Sequence, residues 1–117
     1  MNTTRLSTTS DCQDRLCLLT LTGELDHHTA PQLREAPDQL PLADSTLLVM
    51  DLAALTFCDS TGLTTLVAAH RRASASGTDI ALAGLTPSIA KSFRITGLDQ
   101  LFPIHASAAE ALSAPAG

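Results

Sequence analysis

Leu47-Leu48-Val49-Met50-Asp51-Leu52-Ala53-Ala54-Leu55-Thr56-Phe57-Cys58-Asp59-Ser60-Thr61-Gly62-Leu63 is the stretch on which the fold of this chain turns. Residues 47–51 form a continuous apolar run closed by an aspartate, the pattern of a strand covered on both faces. After a short connection, residues 60 to about 76 carry Leu63, Leu66 and Val67 on one helical face, widened by Ala69 and Ala73. A strand, a turn of small polar residues and a long helix make one unit of an α/β layer fold. The turn itself places Asp59 or Ser60 where either can cap the free N–H groups of the helix's first turn.

The same alternation continues on both sides. Downstream, Gly77 suits a helix end and residues 78–83 form a second apolar strand. Thr86-Pro87 opens a further helix with Ile89 and Phe93 inward and Gly97 at its end; residues 101–104 predict a short last strand and 106–114 a terminal helix. Upstream, residues 15–22 are strand-like and stop at Gly23, and Thr29 is the expected cap of a helix with Pro31 in its first turn. Pro37 should clash with the carbonyl of Leu33 and either kink that helix or cut it short. Residues 1–10 and 114–117 are expected to be loosely ordered, the first as a frayed end or a weak edge strand. The sequence therefore predicts one α/β domain over residues 1–117, with a partly parallel sheet and no internal repeat.

Composition excludes several classes of function. The 117 residues include three Phe and no Trp or Tyr, so the core is built from Leu, Val, Ile and Ala, and base-stacking nucleic-acid modules lack their platforms. Net charge is −5, and the seven basic residues never cluster beyond Arg71-Arg72, so no footprint for nucleic acid or an anionic membrane is expected. The polar start does not read as a signal peptide and no apolar run approaches the ~20 residues of a bilayer span, which points to the cytoplasm. Cys12, Cys17 and Cys58 form no CxxC and have no His at metal spacing; all three are expected to be reduced, acting as small hydrophobes. His27-His28 is not expected to be a metal pair, because adjacent side chains point apart. No metal and no cofactor is called for.

Two constellations remain. One is Asp59-Ser60-Thr61-Gly62 at the helix start; by spacing alone it is a cap, but a helix N-terminus also stabilises negative charge, so a phosphate on Ser60 would be tolerated without unfolding. The other is Gly23-Glu24-Leu25-Asp26-His27-His28-Thr29-Ala30-Pro31, which joins a strand end to a helix start and could flank Ser60. Glu24 and Asp26 would then face the same site and repel a phosphate.

The stretch Leu21-Thr22-Gly23-Glu24-Leu25-Asp26-His27-His28-Thr29-Ala30, with Phe57-Cys58-Asp59-Ser60-Thr61-Gly62-Leu63, resembles the STAS-domain anti-sigma factor antagonists of the sporulation and stress-response branches. The likeness extends through the 86–93 helix and the Gly97-Leu98 turn. It implies a single STAS-like α/β domain, a small mixed sheet packed against about four helices. It implies a binding module, not an enzyme: the unphosphorylated form binds an anti-sigma factor with serine kinase activity and frees its sigma factor. Ser60 is then the residue phosphorylated, with Thr61 as the fallback, and a separate serine phosphatase restores binding. On the same resemblance the partner-binding surface comprises Glu24, Asp26, His27, Thr29, Asp59, Ser60, Thr61, Gly62 and Thr64. Cys58 replaces a common Met, and Thr64 replaces a common Gly and adds bulk near the docking surface.

Two other readings compete. A serine hydrolase would need G-x-S-x-G, but Cys58 rather than Gly lies two residues before Ser60, and His70 reads as a boundary residue on the long helix rather than a base. Related domains also serve as subunits of transport or sensory complexes. The intact Asp-Ser-Thr-Gly favours the phospho-switch, because a transport role would not need the hydroxyl.

Overall fold

The computed structural model describes residues 5–42 and 46–113. Five strands form one sheet in the order β1-β2-β3-β4-β5: β1 Leu6–Gln13, β2 Leu16–Leu25, β3 Leu47–Cys58, β4 Asp79–Ala83 and β5 Ile104–His105. Strands β1 and β2 pair antiparallel, and every other pair is parallel. Four helices complete the domain: α1 Ala30–Glu35, α2 Ser60–Ala75, α3 Pro87–Thr96 and α4 Ala108–Ser113.

The two faces of the sheet are unequal. Leu19 and Leu21 of β2 and Leu48, Met50 and Leu52 of β3 alternate onto one face, where α1 brings Leu33, α2 brings Leu63 and Leu66, and α3 brings Ile89 and Phe93. Val49 and Ala83 point the other way and are covered by Ala111 of α4. This two-sided cover of β3 is what its unbroken apolar start demands.

Strand β3 runs seven residues beyond the expected end at Asp51, reaching Cys58. It does so through two register shifts against β2, between Thr20 and Thr22 and between Gly23 and Glu24. At the first, the Asp51 carboxylate accepts the Ala53 N–H at 3.0 Å, taking up a backbone donor that the broken ladder leaves free. At the second, the Thr56 hydroxyl donates to the Gly23 carbonyl at 3.0 Å. Pro37 acts as expected: α1 stops at Glu35 and continues as a single 3-10 turn, Ala36–Gln39. The last strand is shorter and later than expected, because the 3-10 turn over Leu98–Gln100 holds on to Leu101, whose N–H donates to the Leu98 carbonyl at 3.0 Å.

Of the two readings of the amino end, frayed or a weak edge strand, residues 6–10 take the strand: they belong to β1, an edge strand whose Leu6 is buried in the core. Residues 1–4 and 114–117 lie outside the described residues. The cysteine expectation is overturned, because the three are not all reduced. Cys12 and Cys17 form a disulfide, their Cα atoms 4.1 Å apart, which leaves Cys58 as the free thiol. The cause is the hairpin: Asp14-Arg15 is a two-residue turn, so Cys12 and Cys17 stand directly opposite one another. Their sequence spacing carries no such signal unless residues 6–13 are first recognised as a paired strand.

Candidate functional site

Parallel pairing brings the carboxyl ends of β2 and β3 side by side, with Leu25 opposite Cys58. The chain leaves β2 into Asp26-His27-His28-Thr29 and leaves β3 into Asp59-Ser60. The two stretches singled out in the sequence therefore meet at one edge of the sheet. The Asp59 N–H donates to the Leu25 carbonyl at 3.1 Å, and His27 Nδ1 lies 4.0 Å from Asp59 Oδ2.

Asp59 is the cap of α2. Its backbone is extended and its carboxylate accepts the Gly62 N–H at 2.8 Å. Ser60 thereby becomes the first residue of the helix proper, exposed, with no hydrogen bond from its hydroxyl to any described residue. Thr61 is half-buried. Thr64, one turn on, is exposed and donates to the Ser60 carbonyl at 2.9 Å. Gly62 is buried where α2 meets the sheet; a Cβ there would lie 2.9 Å from Cys58 Sγ, Leu25 Cγ and the Leu25 carbonyl oxygen. The glycine thus sets how closely Ser60 is carried to the end of β2. Cys58 is held inert: burial, then the neighbouring Asp59 charge, pushes its thiol up to about 12.

The second stretch is organised around a buried carboxylate. Asp26 is 4% exposed. Its Oδ1 accepts the His28 N–H at 2.9 Å and the Thr29 N–H at 3.0 Å, and its Oδ2 accepts from Arg5. Thr29 does not cap α1 with its side chain; its hydroxyl instead accepts the Asp26 N–H at 2.9 Å and donates to the Glu24 carbonyl at 2.8 Å. Burial drives the Asp26 carboxyl upward, but the two backbone N–H groups, the Arg5 charge and the Thr29 hydroxyl outweigh it, and the net direction is down. Arg5 also binds Glu24 Oε1, at 2.8 Å from Nη2.

Arg5 is the residue that the sequence reading missed, since it stands just ahead of a strand expected to be weak. Its approach depends on Gly23, whose φ of +112° and missing side chain admit the Arg5 carbonyl; a Cβ would lie 2.1 Å from that oxygen. The Glu24 N–H donates to the same carbonyl at 2.7 Å. This corrects the expectation that Glu24 and Asp26 confront a phosphate as free charges: both are paired with Arg5, and Asp26 is buried. Of the nine expected surface residues, His27, Ser60 and Thr64 are exposed, Glu24, Asp59 and Thr61 half-buried, and Asp26, Thr29 and Gly62 buried. Phe57, absent from that expectation, is 48% exposed three residues before Ser60.

The arrangement is a surface formed by the two loops that leave β2 and β3. His70 packs edge-on against Phe102 with ring centroids 5.0 Å apart, and ten residues along α2 place it about 15 Å from Ser60. Among the described residues no group of three His, Cys, Asp or Glu side chains could hold a metal, and no helix is long and apolar enough to cross a membrane. A cleft lined by Pro37, Leu42, Arg72 and Ile80 opens at the opposite end of the strands, where β3 and β4 begin.

Comparison with known proteins agrees with this geometry. The sequence pattern of the STAS domain matches residues 7–111. The anti-sigma-B factor antagonist of Listeria monocytogenes is 33% identical over 82 residues, covering 70% of this chain and 72% of its own length. The crystal structure of an anti-sigma factor antagonist from Mycobacterium paratuberculosis superposes with a TM-score of 0.73 at 30% identity, over 93% of this chain and 92% of that one. The anti-sigma factor antagonist SpoIIAA in its unphosphorylated form gives 0.73 at 25% identity, over 91% and 93% of the two chains. SpoIIAA of Bacillus is also solved in a phosphorylated form, with a TM-score of 0.69 at 24% identity over 91% of this chain and 96% of that one.

Proposed function

We propose, for a chain that belongs to the STAS domain family, the work of an anti-sigma factor antagonist: it binds an anti-sigma factor through the edge that carries Ser60 and so frees a sigma factor. The observation that carries this reading is the division of labour between Asp59 and Ser60. Asp59 caps α2, so the Ser60 hydroxyl is exposed and has no structural duty. Such a hydroxyl is free to be a substrate. Phosphate there adds about −1.5 to −2 charge at the positive end of α2, which the fold tolerates and a docked partner does not.

In this reading the anti-sigma factor is also the serine kinase, a serine phosphatase reverses the modification, and both meet the domain in the cytoplasm. The domain itself is acted upon and needs no cofactor. His27, Ser60 and Thr64 touch the partner directly, with Glu24, Asp59 and Thr61 at the rim. Asp26, Thr29 and Gly62 act by fixing the two loops. A role as a stand-alone subunit of a transport or sensory complex would leave the Ser60 hydroxyl without a use.

The test pairs the purified domain with its anti-sigma kinase and ATP. One phosphate is expected, on Ser60, with none on Ser60→Ala, and Ser60→Asp is expected to fold normally while binding the kinase at least tenfold more weakly. Because Ser60 caps nothing, Ser60→Ala should move stability by less than about 0.5 kcal/mol, so lost phosphorylation cannot be blamed on unfolding. Phosphate on Ser60→Ala outside residues 60–61, with partner affinity unchanged, refutes the reading.

A further inference from the structure

We infer that Cys12 and Cys17 are a reversible redox pair whose state sets how firmly β1, and with it Arg5, is held against the sheet. Three features of the hairpin carry this. First, Gln13 and Leu16 close a two-residue turn, so the next pair, Cys12 and Cys17, occupies the close-approach position of an antiparallel ladder. The hairpin register itself brings the two sulfurs together. Second, the pair is accessible from one side only: Cys12 is half-buried and Cys17 is 1% exposed. Third, the remaining thiol cannot compete. Cys58 stands beside Leu25, eight residues along β2 from Cys17, roughly 26 Å away at ~3.3 Å per residue. Its thiol is also pushed up to about 12.

Oxidation by a peroxide balances on these two residues alone. The Cys12 thiolate attacks one peroxide oxygen to give a sulfenic acid and hydroxide. The Cys17 sulfur then displaces the sulfenic oxygen, forming the S–S bond. Two thiol protons and two electrons leave the protein, and hydrogen peroxide becomes two waters. A dithiol reverses the step through a mixed disulfide.

The consequence reaches the functional edge because β1 joins the two. Among the described residues β1 pairs only with β2, and past its amino end lies Arg5, which binds Glu24 and Asp26. Closing a ring of about six residues at the other end removes chain entropy from the states in which β1 has come away from β2 along its whole length, Arg5 included. The Glu24 N–H, bonded to the Arg5 carbonyl at 2.7 Å, reports on the far end of the strand.

Hydrogen exchange of the intact protein tests this after treatment with hydrogen peroxide or with dithiothreitol. Alkylation in denaturant should count one free thiol in the oxidised form and three in the reduced form, with a Cys12–Cys17 linked peptide. The amides of β1 and of Glu24 should exchange between about threefold and about fortyfold more slowly when oxidised, the upper figure being the loop-closure entropy of the ring. Cys12→Ser should exchange like the reduced protein whether or not peroxide is present; if that variant folds poorly, the comparison of oxidised and reduced wild type stands without it. Peroxide that yields intermolecular dimers or Cys58-linked peptides overturns the inference. So does a Cys12–Cys17 disulfide that slows residues 10–17 alone and leaves Glu24 unchanged. Neither result depends on Ser60, so the proposed partner switch stands or falls separately.

Discussion

Replacing Gly62 by alanine sets local helix chemistry against tertiary packing, and the two give opposite signs. Gly62 lies in the first turn of α2, where alanine is the better helix former by about 0.5–1 kcal/mol. On that ground alone the substitution stabilises. The structure reverses the sign. The added Cβ meets Cys58 Sγ, Leu25 Cγ and the Leu25 carbonyl oxygen, all at 2.9 Å, whereas ordinary contact begins at 3.4 Å. The first turn must retreat by about 0.5 Å, and the carbonyl cannot yield because it accepts the Asp59 N–H that ties β2 to α2. Overpacking of this kind costs about 1–3 kcal/mol, and a clash with a fixed backbone carbonyl belongs to the upper half of that range, so about 2–3 kcal/mol set against a gain of up to ~1 leaves a net loss of about 1–2 kcal/mol. With a urea slope of about 1.5–2 kcal/mol/M for a domain of this size, the unfolding midpoint should fall by about 0.5–1.3 M, read by circular dichroism. The retreat also carries Ser60 off its position, so phosphorylation by the proposed partner kinase should slow more than the folded fraction explains. An unchanged or raised midpoint would show that α2 does not sit on the end of β2 as described.

Three further outcomes follow from the same edge. Asp59→Ala removes the cap of α2 and should cost about 1 kcal/mol, while Asp59→Asn, which keeps an acceptor for the Gly62 N–H, should restore most of it; equal losses in urea melts would exclude the capping role. The Asp26 carboxyl titrates below its ordinary value when folded, so between the folded and unfolded values the unfolded chain binds the extra proton and stability rises with pH. This contribution is complete above about pH 5 and is lost progressively as pH falls further; Asp26→Asn should flatten that limb in urea midpoints measured from pH 2 to 6, and an identical limb in the variant would refute it. Finally, Cys58, with its thiol at about 12, should react with iodoacetamide at pH 8 about a thousandfold more slowly than a free cysteine, and rapid labelling of the native protein would contradict its burial.

Much of the fold was legible because local and tertiary signals agree. The apolar run 47–51, the Thr86-Pro87 helix start and the Pro37 break each appear where the residues place them. The misses share one cause, namely that pairing between distant segments overrode local composition. Residues 52–58 look like a connection because Ala53 and Ala54 are poor strand signals; β2 nevertheless holds them as a strand through two register shifts. Residues 6–13, rich in Ser and Thr, become a strand because Leu6 finds the core and β2 supplies a ladder. The Cys12–Cys17 disulfide and the Arg5 clamp stay hidden unless residues 6–13 are taken as a full paired strand, since each depends on register across the hairpin. The candidate site fared better: spacing alone put Asp59 at the helix start, though it could not choose between Asp59 and Ser60 as the cap.

That choice decides what kind of switch the edge can form. Had Ser60 been the cap, phosphorylation would have consumed the hydroxyl that holds the helix start, and the signal would have been local unfolding. With Asp59 as cap and Glu24 and Asp26 paired to Arg5, the described fold depends on no atom of the Ser60 side chain. The acids that seemed placed to repel a phosphate are engaged, so repulsion inside the domain is a weak lever. The partner must supply the strong one. Phe57, three residues before Ser60 and 48% exposed, offers apolar area that docking would remove from water. A phosphate close to such a contact must either lose its hydration or keep the contact open, and either outcome costs more than the fold itself pays. The switch proposed for this edge therefore acts on what the partner can bury, with the domain unchanged beneath it.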